Sequence, residues 1–246
     1  MANIKIENLT ATYENKKKVK YTALDNVSLE IKDSSFNVVV GYSGSGKTTL
    51  LRCIAGLMDY DGYIFIDGID ADSLSVQERN MSLVTDKFVL YRSMTIFENI
   101  AFPLLINNAP KEEIIERVNE VAKKLHIEHC LSRKPKHLSI GQQQRASLAR
   151  ALIKKPSIYL FDEPLSNLDP INRSEARILI KKLIKETGGT CLYVTHDIKE
   201  AMALADYLIV INDKKIEIEG SPLEVYNSGN EIVETLKGDV ENNALF

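Results

Sequence analysis

The stretch "FNVVVGYSGSGKTTLLRCIAGL", Phe36 to Leu57, decides the fold. It opens on an apolar run, passes through Gly41, Gly44 and Gly46, and resumes apolar residues at Leu50, Leu51, Ile54 and Leu57. That is a strand, a glycine loop and a helix. Within it, Gly41 to Thr48 matches G-x-x-x-x-G-K-[ST] at every fixed position. Glycines let backbone N–H groups curl around phosphate oxygens. Lys47 neutralises charge at the β- and γ-phosphates, and the Thr48 hydroxyl can ligate Mg²⁺. Gly41, Tyr42, Ser43, Gly44, Ser45, Gly46, Lys47, Thr48 and Thr49 form the expected phosphate-binding set.

Working outward, "NIKIENLTATY" and "ALDNVSLEIK" alternate apolar and polar residues, as half-buried antiparallel strands do. "ENKKKVKY" between them reads as a solvated hairpin tip, and "DGYIFIDGIDA" returns to β-structure. From about Thr95 to Leu152 the pattern turns helical. "APKEEIIERVNEVAKKL" places Pro110 near a helix start and apolar residues at helical spacing. Strands resume in "SIYLFDEP", "TCLYVTHD" and "YLIVINDKKIEIEG", separated by helices at Arg173–Glu186 and Ile198–Leu204. Strands alternating with helices argue an α/β fold around a largely parallel sheet. The helical block, about residues 87–155, reads as an inserted subdomain, and residues 227–246 as a short polar tail.

The 246 residues, 44% hydrophobic and 26% charged, suit one large domain or a domain with an inserted lobe. A net charge of −3, from 31 basic and 34 acidic residues, gives no basic face for nucleic acid. The three cysteines have no paired or ligand-like spacing, as expected of small buried hydrophobes in a reducing compartment. The start of the chain has no apolar signal-peptide core. No run reaches the roughly 18 apolar residues of a membrane span.

A second cluster supports the phosphate site. "SIYLFDEP" ends an apolar strand on Asp162 and Glu163. A carboxylate there, beside a phosphate loop, can hold the hydration shell of Mg²⁺, and Glu163 can polarise an attacking water as general base. "YVTHD" ends the next strand on His196, whose imidazole can reach a γ-phosphate. Far from the phosphate loop, "KHLSIGQQQRASLARAL" runs from a polar stretch into a helix, a second helix start suited to an anion.

Together these motifs resemble the nucleotide-binding subunits of ABC transporters, from Ile4 to about Tyr226. The phosphate loop, "LSIGQQQR" in place of the family's L-S-G-G-Q signature, "YLFDEP", "LSNLD" and "YVTHD" follow in the family's order. The resemblance implies a P-loop NTPase (RecA-like) core with an N-terminal antiparallel β-subdomain and an inserted α-helical subdomain. It implies ATP and Mg²⁺ as ligands, with Tyr13 stacking on adenine and Thr48, Asp162 and Asp86 around the metal. Glu163, His196 and Lys47 would be catalytic, and Asp169 belongs to the "LSNLD" loop. In the family two chains face head to tail, so Ser139, Gly141 and Gln142 would bind the nucleotide held by the partner's Lys47. ATP would favour the closed dimer and hydrolysis would weaken it.

Two residues depart from the pattern. Ile140 stands where the family has glycine; a β-branched residue resists φ > 0 and blocks close backbone approach. Asp86 stands where the family has glutamine; it can ligate Mg²⁺ but adds repulsion toward phosphate. Both leave room for a weakly hydrolysing dimerisation module. The resemblance further implies separate integral membrane permease subunits, docked near Phe88–Leu105, and an extracytoplasmic solute-binding protein. The expected system is a small-solute importer of the sugar, polyamine or iron type, with an exporter as the alternative and a soluble ABC ATPase as a remoter one. The chain would lie peripherally on the cytoplasmic face of the membrane, and is expected to stop too soon for the extra C-terminal regulatory domain that many such subunits carry.

Overall fold

The computed structural model describes residues 3–14, 18–85 and 89–243. The sequence expectations for Asp86, Phe88 and the hairpin tip at 15–17 lie outside the described residues. In chain order the elements are β1 (Ile4–Glu14), β2 (Lys20–Ile31), β3 (Phe36–Val40), α1 (Lys47–Ile54), β4 (Asp61–Ile66), β5 (Ile69–Asp70) and β6 (Met81–Thr85). Then follow α2 (Ile96–Ile106), α3 (Lys111–Lys124), α4 (Ile140–Leu152), β7 (Ile158–Asp162) and α5 (Pro170–Thr187). The chain continues through β8 (Thr190–Thr195), α6 (Ile198–Leu204), β9 (Tyr207–Asn212), β10 (Lys215–Gly220), α7 (Pro222–Tyr226) and α8 (Glu231–Asn243).

Two compact units divide the chain. The first comprises Met1–Met81, Ser157–Glu163 and Ile184–Phe246. It holds an antiparallel sheet in the order β2-β1-β4-β5 and the strands β10-β9-β3-β8-β7 of a second sheet. β9, β3, β8 and β7 are mutually parallel, and β10 closes the edge antiparallel. Every residue of β3 and β8 is buried, and all of β7 up to Asp162. Strands covered on both faces read as near-continuous apolar runs, which is why "FNVVV" and "TCLYVT" lack a regular apolar–polar alternation. The sheet aims the ends of β3, β7 and β8 the same way, so the loops after them converge.

The second unit comprises Ser82–Pro156 and Pro164–Leu183. Ile114, Val118, Val121 and Ala122 form the buried face of α3 at helical spacing. Its outer face carries the Glu113–Arg117 and Glu120–Lys124 pairs. Thr95 opens α2 and Ser139 opens α4, each through a reciprocal capping box.

Two segments differ from the sequence reading. "YLIVINDKKIEIEG" has the expected strand character but folds as a hairpin, β9 and β10. The polar tail contains α8, whose Val233 and Leu236 are buried in the first unit. Two apolar residues three apart suffice to dock a helix that composition alone marks as solvated.

Candidate functional site

β3 delivers the chain to Gly41 and α1 starts at Lys47, so the loop between is held at both ends by regular structure. Gly44 and Gly46 take φ of 81° and 109°, which L side chains resist. A Cβ on Gly46 would lie 2.5 Å from the Ala23 carbonyl oxygen and 2.6 Å from Leu24, so β2 packs directly against the loop. Lys47 is buried, and its ammonium donates at 2.8 Å to both the Gly41 and Tyr42 carbonyls. Burial lowers its pKa, against the opposing pull of Glu163 and Asp162. The Ser45 hydroxyl is buried without a hydrogen-bond partner among the described residues.

The loop floors a cleft of about 320 Å³. Ser43, Gly44, Gly46, Lys47, Thr48 and Thr49 line it together with Glu163 and Tyr13. Tyr13 stacks on Tyr21, its cross-strand partner, with centroids 6.0 Å apart. The Thr48 hydroxyl donates to Asp162 Oδ1 at 2.9 Å. Among the described residues no group of three or more His, Cys, Asp or Glu converges on a metal position. One hydroxyl and one carboxylate oxygen nevertheless fit Mg²⁺, which takes few protein ligands and completes an octahedron with water and substrate phosphates.

Glu163 follows β7 with φ of 46°, an uncommon conformation for a non-glycine residue, fixed by its N–H donating to the Val194 carbonyl at 3.0 Å. Its Oε2 lies 2.9 Å from His196 Nδ1. That hydrogen bond lowers the carboxyl pKa and raises that of the imidazole, so each holds the other in its charged form. Behind them lies Glu200, a buried carboxylate that the sequence reading passed over. It accepts from the Tyr193 hydroxyl at 3.1 Å and from Thr195 Oγ1 at 2.5 Å. Thr195 Oγ1 also accepts the Asp197 N–H, so the residues on both sides of His196 are tied down.

The second unit carries its own cleft, about 430 Å³, where Ser139, Gly141, Gln142 and Asp169 meet with Arg145 and His129. The Ser139 hydroxyl accepts the Gln142 N–H at 3.3 Å, and Gln142 Oε1 accepts the Ser139 N–H at 3.1 Å. The helix start is thus already organised. Ile140 corrects one expectation: it is the first residue of α4, has no positive φ, and is 58% exposed. It adds no backbone strain, only an apolar side chain at the mouth of the cleft. A Cβ on Gly141 would meet nothing within 4 Å, so approach to that backbone is open. Gln144, buried on the same helix, donates to the Pro164 carbonyl at 2.7 Å.

A parallel sheet feeding this phosphate loop, with an acidic strand end beside it, defines a P-loop nucleoside-triphosphatase fold. The chain belongs to the ABC transporter family, whose model matches residues 24–166. It is 43% identical over its whole length to the sn-glycerol-3-phosphate import ATP-binding protein UgpC of Psychromonas ingrahamii, spanning 65% of that protein. It is also 43% identical, over 92% of its length, to the osmoprotective compounds uptake ATP-binding protein GgtA of Synechocystis, spanning 61% of it. The dimeric, post-hydrolysis ATP-binding cassette MJ0796 bound to ADP and Pi superposes with a TM-score of 0.80 at 35% identity, over 89% of this chain and 98% of that one. The cbiO1 protein of Clostridium perfringens, part of the transporter complex cbiONQ, gives 0.81 at 26%, over 95% and 93%. None of the helices described is long and apolar enough to cross a membrane.

Proposed function

We propose that the chain is the ATP-binding and ATP-hydrolysing subunit of an ABC importer for a small solute. The observation that carries this reading is the cleft joining Tyr13, the phosphate loop and Glu163. The aromatic ring suits a base, and the glycine loop with Lys47 suits a triphosphate. The import and uptake names of the relatives favour an importer over an exporter.

In this reading the Lys47 ammonium leaves the Gly41 and Tyr42 carbonyls and turns to the β- and γ-phosphates. Bound between Thr48 and Asp162, Mg²⁺ would supply positive charge to phosphate oxygens. Glu163 takes a proton from the attacking water. Paired with a protonated His196 its carboxylate is a weak base, so turnover requires His196 to release it. The γ-phosphate is the acceptor that would draw the imidazole away.

The cleft at Ser139, Gly141, Gln142 and Asp169 serves the nucleotide of a second copy, facing head to tail. A dimer with two-fold symmetry makes two equivalent sites this way. The chain is proposed to act as a single nucleotide-binding domain with its helical subdomain inserted at about 87–155. It would sit on the cytoplasmic face of the membrane against permease subunits, with a solute-binding protein in the same system. Asp86, which lies outside the described residues, is retained in this proposal as a candidate Mg²⁺ ligand.

The test is ATP binding and Mg²⁺-dependent phosphate release by the purified chain, beside Lys47→Ala. Binding by the parent that is lost in Lys47→Ala supports the assignment. Equal binding by both removes the cleft from the function.

A further inference from the structure

The turn between β9 and β10 holds a lysine where its backbone favours glycine. Asn212 pairs with Lys215 across the hairpin, leaving Asp213 and Lys214 as a two-residue loop with φ of 41° and 71°. Two successive positive φ values mark a type I′ turn, whose second position suits glycine and strains an L side chain. Residues held in such conformations cluster at ligand sites.

The backbone around Lys214 is firmly placed. Its carbonyl accepts the Asp25 N–H at 3.0 Å. Three residues earlier, the Ile211 carbonyl oxygen lies 2.1 Å from where a Cβ on Gly41 would sit, so β9 abuts the start of the phosphate loop. Lys215, the next residue, is drawn outward into an ion pair with Asp25 at 3.0 Å. Lys214 is half-buried and is one of the residues lining the cleft that also holds Tyr13, Lys47 and Thr48. Among the described residues its ammonium has no ion-pair partner.

We infer that Lys214 is a nucleotide-binding residue whose ammonium contacts the α,β-diphosphate that ATP and ADP share. The inference rests on the ATP-binding reading above and extends it to a residue outside the phosphate loop. The sheet order gives the direction of approach. β9 lies on one side of β3, and β7, which Glu163 directly follows, lies on the other, beyond β8. Glu163 marks the end where a γ-phosphate must react, so Lys214 reaches the nucleotide from the opposite side. A contact there stabilises ATP and ADP equally. It raises affinity without favouring the transition state, and it slows release of ADP.

Dissociation constants for ATP and for ADP, measured separately on the full chain, test this. In Lys214→Gly the turn relaxes, so the melting temperature should rise, while both nucleotides bind about tenfold more weakly, as expected for loss of one charge-assisted hydrogen bond. Lys214→Met, which keeps the stem and loses the charge, should show the same loss without the gain in melting temperature. Lys214→Arg should retain most of the affinity. A purely structural lysine would move stability and affinity together or leave affinity alone. Unchanged affinities in Lys214→Gly and Lys214→Met, with the parent binding both nucleotides, would overturn the inference. Weakening for ATP alone would overturn it too, by placing the contact at the γ-phosphate. Failure of the parent to bind either nucleotide is a different result, and refutes the ATP-binding reading itself.

Discussion

Glu200→Ala tests whether a buried hydrogen-bond group holds the His196 loop. Glu200 is 5% exposed, and the two hydroxyls donating to it, on Tyr193 and Thr195, are 0% and 2% exposed. Deleting the carboxylate removes the acceptor that Glu200 offers each hydroxyl in a buried site, at about 1–3 kcal/mol each. The space left by the side chain adds a cavity contribution. Thr195 Oγ1 keeps the Asp197 N–H, which softens its loss. The expected destabilisation is about 3 kcal/mol, read as a shift in the urea midpoint at unchanged m-value. Phosphate release should fall as His196 loses its support. ATP affinity should stay near the parent value, because Lys47 and its loop are set by β3 and α1. Glu200→Gln keeps the shape and one acceptor oxygen, and should cost about 1 kcal/mol. A Glu200→Ala protein within about 1 kcal/mol of the parent would refute the reasoning.

In Gly46→Ala the new methyl meets the Ala23 carbonyl at 2.5 Å with φ at 109°. ATP binding should be lost and stability should drop by about 2 kcal/mol or more; an unchanged ATP dissociation constant would show the loop to be more compliant than its packing implies. Glu163→Gln should retain ATP affinity while phosphate release falls about 10²- to 10⁴-fold, as for loss of a general base; near-parent turnover would remove Glu163 from that role. The Glu163–His196 pair should also mark the pH dependence of stability. His196 is raised above 6.5, so its contribution is present below that value and fades as pH rises through the folded-state value. Glu163 is lowered below 4.5, so its contribution is present above that value and is lost as pH falls through the folded-state value. The stability difference between the parent and His196→Gln should therefore peak between about pH 5 and 6.5 and shrink on both sides. It should stay below about 1 kcal/mol, because the His196 side chain is 58% exposed and screened. A difference growing steadily to pH 9 would contradict the pairing.

The parallel core was legible because strands covered on both faces are apolar along most of their length, and because a phosphate loop demands glycines between a strand and a helix. Glu163, His196 and the Ser139 cap could be found for the same reason: their positions are fixed by strand and helix ends that the pattern reveals. Glu200 was not, since a glutamate in the first turn of a helix normally faces solvent. Here the Tyr193 and Thr195 hydroxyls, on the same face of β8, turn it inward. Lys214 was hidden inside an apparently continuous strand, because "NDKK" lacks the glycine that usually announces a two-residue turn. Ile140 was misread for the opposite reason. Its family position suggested a backbone demand for glycine, whereas the structure places it in ordinary helical geometry.

The claim that the Ser139 helix start serves the nucleotide of a second copy is tested most directly by Ser139→Arg in a Glu163→Gln background. Two quantities are measured on the same sample: ATP affinity at low protein concentration, and mass by sedimentation with saturating ATP. The expected result is ATP affinity within about twofold of the Glu163→Gln parent, with the parent dimeric in ATP and the double variant monomeric. Loss of ATP affinity in the monomeric double variant would mean that Ser139 serves the nucleotide of its own chain, and would contradict the head-to-tail arrangement.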